Sequence, residues 1–211
     1  MDIIDPAIQA YAEKYTSPED ALLAEVSAFT QTHHKEHHML SGHLQGKFLE
    51  MVSWMIRPRR ILEIGTFTGY SALCLAKGMA PDGELHTIEL READSARARE
   101  FFNASFTGRI ISHTGNALEL LPVINETWDL VFIDADKVSY IEYFKLVLPR
   151  VRQNGFILAD NVFFHGQVLE EPTKTKNAKA MKAFSEYINE RQDIDKVMIT
   201  IRDGLYLIRK L

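Results

Sequence analysis

Through the first forty residues apolar positions recur every three or four places, and from Ile61 onward they gather into short runs separated by helical stretches. Ile4, Ala7, Ile8, Tyr11, Ala12 and Tyr15 form one stripe, which predicts a helix. Ser17-Pro18-Glu19-Asp20 offers a cap residue, a first-turn proline and acids for the positive end of a second helix carrying Leu22, Leu23, Val26 and Phe29. Met39 to Ile56 reads as a short loop and a third helix. Beyond it the pattern predicts strands near 61–64, 85–89, 109–113, 129–133 and 155–159, alternating with helices near 70–79, 92–103, 117–121, 138–150 and 177–190. Such alternation marks an α/β doubly wound fold, a parallel sheet with helices on its faces. The tail departs from it. Val197, Ile199 and Ile201 alternate, Asp203-Gly204 turns the chain, and Leu205 to Ile208 returns, so the closing pair is antiparallel.

The first strand runs into a glycine turn. Ile61, Leu62 and Ile64 make the apolar run of a strand buried on both faces, Gly65 and Gly69 frame the turn, and a helix follows. Glycine permits close ligand approach there, while the first N–H groups of the helix point into the crevice at the strand's carboxyl end. The spacing is Gly-x-x-x-Gly, and Glu63 precedes it by two residues. A carboxylate at that point repels a pyrophosphate but attracts an ammonium such as that of the methionine moiety of S-adenosylmethionine. Glu89, twenty residues beyond Gly69, closes the second strand where an acid accepts hydrogen bonds from ribose hydroxyls.

Two later strands also end in acids: Asp129 to Ile133 runs into Asp134-Ala135-Asp136-Lys137, and Gly155 to Ala159 runs into Asp160-Asn161. In a doubly wound sheet both clusters emerge at the edge that carries the glycine turn, so Asp134, Asp160 and Asn161 converge. Two carboxylates and a carboxamide suit a hard divalent cation, Mg2+ first, with Mn2+ or Ca2+ as alternatives. The plain alternative is strand-end acids that cap helices or tie turns.

Composition narrows the field. A chain of 211 residues with 46% hydrophobic content supports one core and a single domain, with N-terminal helices over 1–57 and the sheet over 58–211. A net charge of -5 gives no broad basic surface for nucleic acid or an anionic membrane. Met1 to Pro6 lacks the basic region and apolar run of a secretion signal, and no apolar stretch is long enough to span a bilayer, so a cytoplasmic location is expected. Cys74, the one cysteine, falls on an apolar helix face and reads as an inert core thiol.

At these residues the chain resembles the cation-dependent class of S-adenosylmethionine O-methyltransferases, the group of catechol and caffeoyl-coenzyme A O-methyltransferases. The resemblance runs from Met39-Leu40-Ser41-Gly42 through Glu63 to Ser71, Gly115-Asn116-Ala117, Asp134 to Lys137 and Asp160-Asn161 to Asp203-Gly204. It implies a class I, Rossmann-like methyltransferase fold, mostly parallel and seven-stranded with one reversed strand near the C-terminus. It also implies methyl transfer to a hydroxyl of a catechol-like or other phenolic small molecule. Ser41, Glu63, Gly65, Thr66, Ser71, Glu89 and Ala117 would contact the methyl donor, Asp134 both donor and metal, and Asp160 and Asn161 would complete the metal ligands. A homodimer is carried over as an expectation. The animal catechol enzymes of this group carry a further acid near the tail, and no clear equivalent lies close to Val197.

A substrate with two adjacent oxygens can chelate the cation, which acidifies its hydroxyl and holds it in line with the sulfonium methyl. Lys137 would take the proton or stabilise the phenolate, and a nearby cation would make its ammonium shed a proton more readily; an exposed lysine at a helix start is the plain alternative. Phe163, Phe164 and His165 would help hold the acceptor or else anchor their loop. His33, His34, His37 and His38 lack the further ligand of a zinc motif and read as a solvated helix end or a lid. Two other functions compete. A nicotinamide-dependent oxidoreductase is opposed by Glu63, the glycine spacing and the reversed strand; a catalytically silent donor-binding protein has no broken motif to support it.

Overall fold

A computed structural model describes residues 4–105 and 109–211. Helices α1 (Pro6–Lys14), α2 (Ala21–His33) and α3 (Gly42–Ile56) precede the sheet. Asp5 caps α1 by accepting from the Ala7 N–H at 2.7 Å, with Pro6 at the first helical position. The second helix starts later than the Ser17-Pro18 signal implies. Asp20 is its cap, accepting from the Leu23 N–H at 2.9 Å. The apolar stripe of α1 is real but unburied, with Ile8, Tyr11 and Tyr15 each more than 60% exposed.

The strands are β1 (Arg60–Ile64), β2 (Glu84–Glu89), β3 (Arg109–Thr114), β4 (Trp128–Ile133), β5 (Val151–Asp160), β6 (Ile194–Ile199) and β7 (Leu205–Lys210). They lie in the order β3-β2-β1-β4-β5-β7-β6. Among the described residues β7 alone runs against the rest, pairing antiparallel with both β5 and β6. Strand β5 starts at Val151, ahead of the apolar run. A register shift opposite Trp128 to Leu130, with Asn154 at φ 58°, lets the polar Arg152-Gln153-Asn154 join the strand.

Between strands the chain forms α4 (Tyr70–Ala76), α5 (Glu92–Asn103), the short α6 (Ala117–Leu120), α7 (Tyr140–Val147) and α8 (Lys176–Glu190). Alternation along the strands builds two cores. Leu62, Ile64, Val131, Ile133 and Ile157 pack with Tyr140, Phe144 and Phe184 on one face; Ile61, Leu130, Phe132 and Leu158 pack with Val26, Leu49 and Leu73 on the other. Cys74 is buried in the second core, where burial pushes its thiol far above the ordinary range. Strand order reverses between β1 and β4, which opens a crevice at their carboxyl ends.

Candidate active site

That crevice is a cavity of about 540 Å³, well within the range of small-molecule sites, roughly 300–1,000 Å³. Its wall includes Ser41, Gly65, Thr66, Ser71, Glu89, Ala117, Asp134, Lys137, Asp160 and Asn161. The glycine turn is held by two N–H donors, from Gly65 and Thr66, to the Ile88 carbonyl at 2.9 and 3.2 Å. Gly65 has φ 104°, and a Cβ there would lie 1.9 Å from the Asp134 carbonyl oxygen. Only glycine therefore lets β1 and β4 end side by side. Glu89 accepts from the N–H groups of Phe67 at 2.7 Å and Arg91 at 2.9 Å, which fixes its carboxylate at the cavity rim.

Glu63 departs from the expected direct contact. It is fully buried and stands behind the cavity wall, accepting from the Ser71 hydroxyl at 2.6 Å and the Thr87 hydroxyl at 2.5 Å. Burial raises its pKa to about 8, against those two hydrogen bonds. Ser71, which it holds, does reach the cavity.

The three proposed metal ligands share the cavity. Asp160 is 2% exposed; its Oδ1 accepts from the Asn161 N–H and its Oδ2 from the Gln45 side chain, both at 2.8 Å. Burial first, then the charge of Asp134, push its pKa up. Asn161 holds the left-handed φ of 57°, and its amide nitrogen donates to Asp203 at 3.4 Å, which leaves the carboxamide oxygen free to ligate. Two carboxylates and an amide oxygen on one cavity wall, one of the acids buried and, among the described residues, without a cationic partner within ion-pair distance, fit a hard divalent cation. S-Adenosylmethionine fits the other half, where the rim acid and the glycine turn meet.

Lys137 lies in the cavity wall with its side chain largely buried, and is not an exposed lysine at a helix start. Its Nζ donates to Asp134 Oδ1 and to the Tyr140 hydroxyl, each at 2.8 Å. Burial disfavours its charge, but Asp134, Tyr140 and Asp160 outweigh burial and hold its pKa above the ordinary lysine value. As the protein stands, the group is a firmly held ammonium.

The loop after Asn161 divides its aromatics. Phe163 is an anchor, packed so closely on Gly204 that a Cβ there would meet its ring at 2.5 Å, whereas Phe164 and His165 line the cavity. Both lining residues adopt positive φ, held by the Phe163 N–H donating to the Asp203 carbonyl at 2.9 Å and the His165 N–H to Asp203 Oδ1 at 2.6 Å. The histidine run also separates: His34 lies 3.1 Å from Asp94 and against Phe67, His33 stacks on Phe29, and His38 reaches the cavity. Among the described residues the four form no metal-ligating group.

Sequence reasoning missed Gln45, Tyr140, Arg202 and Asp203. Gln45 shares the buried face of α3 with Leu49 and Val52 at helical spacing, and a polar residue in that stripe was the available signal. The Tyr140 hydroxyl lies 3.1 Å from the Asp160 carbonyl and 3.2 Å from the Ile133 carbonyl, tying the ends of β4 and β5 together. Arg202 donates to the Ser41 carbonyl and joins the wall beside Asp203.

Known proteins share this architecture. SAH-bound PaMTH1, a methyltransferase of Podospora anserina, superposes with a TM-score of 0.90 at 30% identity, covering 97% of this chain and 94% of that one. The SAH complex of an O-methyltransferase from Bacillus cereus gives a TM-score of 0.87 at 28% identity, covering 97% of each chain. A catechol O-methyltransferase of Mycobacterium tuberculosis is 31% identical over 196 residues, 92% of this chain and 88% of that protein. The sequence profile described as O-methyltransferase matches residues 13–211, so the chain belongs to the O-methyltransferase family and is an S-adenosylmethionine-dependent enzyme.

Proposed function

We propose that this enzyme methylates one hydroxyl of a vicinal diphenol or similar phenolic small molecule, with a divalent cation, Mg2+ first, held by Asp134, Asp160 and Asn161. The observation that carries the reading is that these three donors, from the ends of β4 and β5, line one cavity with the glycine turn and Glu89. Catechol O-methyltransferases among the relatives support the acceptor class.

When bound, the donor supplies an electrophilic methyl and the cation acidifies the acceptor hydroxyl. Glu89 holds the ribose edge, while Ser71, polarised by Glu63, meets the donor's ammonium beside Gly65. Ser41, Thr66 and Ala117 complete the donor's wall. Asp134 stands between donor and acceptor halves, oriented by Lys137. The Lys137 ammonium places positive charge where a phenolate develops, so its role is to stabilise the oxyanion. Phe164 and His165 cover the acceptor and limit water.

The segments 1–57 and 58–211 act as one domain in this reading, since Ser41 and Gln45 reach the site from the first of them. A homodimer is part of it, supported by the exposed Ile8, Tyr11 and Tyr15 of α1, and so is a cytoplasmic location, supported by a lone buried thiol. Among the described residues no helix is long and apolar enough to cross a membrane.

The test is methyl transfer from labelled S-adenosylmethionine to vicinal diphenols, including coenzyme A thioesters, and to matched monophenols, with Mg2+ and with chelator. Product from the diphenols that disappears on chelation is expected. Turnover that survives chelation refutes the cation, and equal turnover of monophenols refutes the chelating acceptor.

A further inference from the structure

A second cluster lies at the opposite, amino-terminal edge of the sheet. Glu84 and His86 are two residues apart on β2 and share a face, and Glu126 precedes β4 beside them. One ligand atom from each of the three lies within 4.8 Å of the others.

His86 is the informative member. It is 8% exposed, and its Nε2 has no hydrogen-bond partner although it lies 3.8 Å from Glu84 Oε2. Its other nitrogen, Nδ1, is 3.1 Å from His113 Nε2, the two rings are stacked, and Trp128 packs edge-on against His86. If Nδ1–H donates to His113, a buried lone pair on Nε2 faces two carboxylates, a repulsive arrangement that a cation relieves. Burial holds the imidazole below its ordinary pKa despite the pull of Glu126 and Glu84, so the ring favours its neutral form. Neighbouring arginines leave the gap open. Arg109 takes Glu84 Oε1 at 2.8 Å and Arg60 takes Glu126 Oε2 at 3.3 Å, while Glu84 Oε2 still faces His86.

We propose that Glu84, His86 and Glu126 form a binding site for a Zn2+-class divalent cation, separate from the methyl-transfer site. One imidazole and two carboxylates with an open position match that ion's preferences. Metal–ligand bonds of about 2.0–2.2 Å require the three atoms to draw closer together, which the partly exposed Glu84 and Glu126 permit. His113 fixes the tautomer of His86, as partners of metal-bound histidines commonly do. The site would link β2 to the segment entering β4 across the intervening β1, so the bound ion would stabilise the fold.

Co2+, a spectroscopic stand-in for Zn2+, is titrated into the full chain with Mg2+ in excess, and visible absorbance and melting temperature are read. The wild type should take up one Co2+ that Glu126→Gln binds at least tenfold more weakly and His86→Gln does not bind, and His113→Phe should weaken uptake about 10- to 100-fold. Zn2+ should raise the melting temperature of the wild type and not that of Glu126→Gln. Should His86→Gln fail to fold, Glu126→Gln decides. Uptake that is identical in wild type and Glu126→Gln, or no saturable uptake by the wild type, overturns the site.

Discussion

Acids at the amino-terminal edge of the sheet are matched with arginines: Glu84 with Arg109, Glu126 with Arg60, and Asp129 with Arg152. At the carboxyl edge Asp160 takes only the neutral donors Gln45 and the Asn161 N–H, and no lysine or arginine lies within ion-pair distance among the described residues. Desolvating a carboxylate without a countercharge is costly. The contrast separates acids that keep an arginine countercharge from a buried acid held by neutral donors alone, and it marks the Asp160 end of the carboxyl edge as a place of chemistry.

The strongest way to break that contrast is Asp160→Asn, which keeps the volume and removes the charge. It should cut methyl transfer at least about 100-fold and raise the Mg2+ requirement while leaving the fold as stable or more so. Turnover measured across a Mg2+ series, with a thermal melt, checks both. Gly65→Ala attacks the junction of the two halves. With a Cβ 1.9 Å from a backbone oxygen and φ 104°, it should cost about 3 kcal/mol or more in a denaturant titration. Lys137→Ala should lower kcat about tenfold to 100-fold with little change in S-adenosylhomocysteine affinity by calorimetry; an unchanged kcat removes its role.

Glu63 sharpens the contrast through pH. Its folded pKa of about 8 stands above the ordinary 4.5, so the folded chain holds that proton more tightly than the unfolded one. The stability it contributes is fully present below pH 4.5 and is lost as pH rises through 8. Subtracting the unfolding free energies of Glu63→Gln from those of the wild type should reveal that decline; a difference flat with pH removes it. The smallest effect is expected at the arginine-matched edge, where Glu126→Gln should leave methyl transfer within about twofold.

Much of the carboxyl edge was legible because strand order makes distant strand ends neighbours: Asp134 and Asp160 needed only their positions at the ends of β4 and β5. The sheet and its reversed last strand were legible from alternation and the Asp203-Gly204 turn. Depth within the wall was not. Whether Glu63 faces the cavity or backs Ser71 depends on packing between β1, β2 and α4, which no local pattern encodes. Periodicity likewise revealed α1 as a helix without revealing that its stripe stays exposed, and it marked Gln45 as a polar member of a buried row without saying that its partner is Asp160.

The hairpin that ends the chain does more than finish the sheet. Through Asp203 and Gly204 it clasps Val162, Phe163 and His165, so the cavity wall at Phe164 and His165 takes its shape from the turn between β6 and β7. Two stretches far apart in sequence therefore build one wall, and a change at Asp203 or Gly204 would be felt at Phe163 and His165 without altering a residue of the glycine turn.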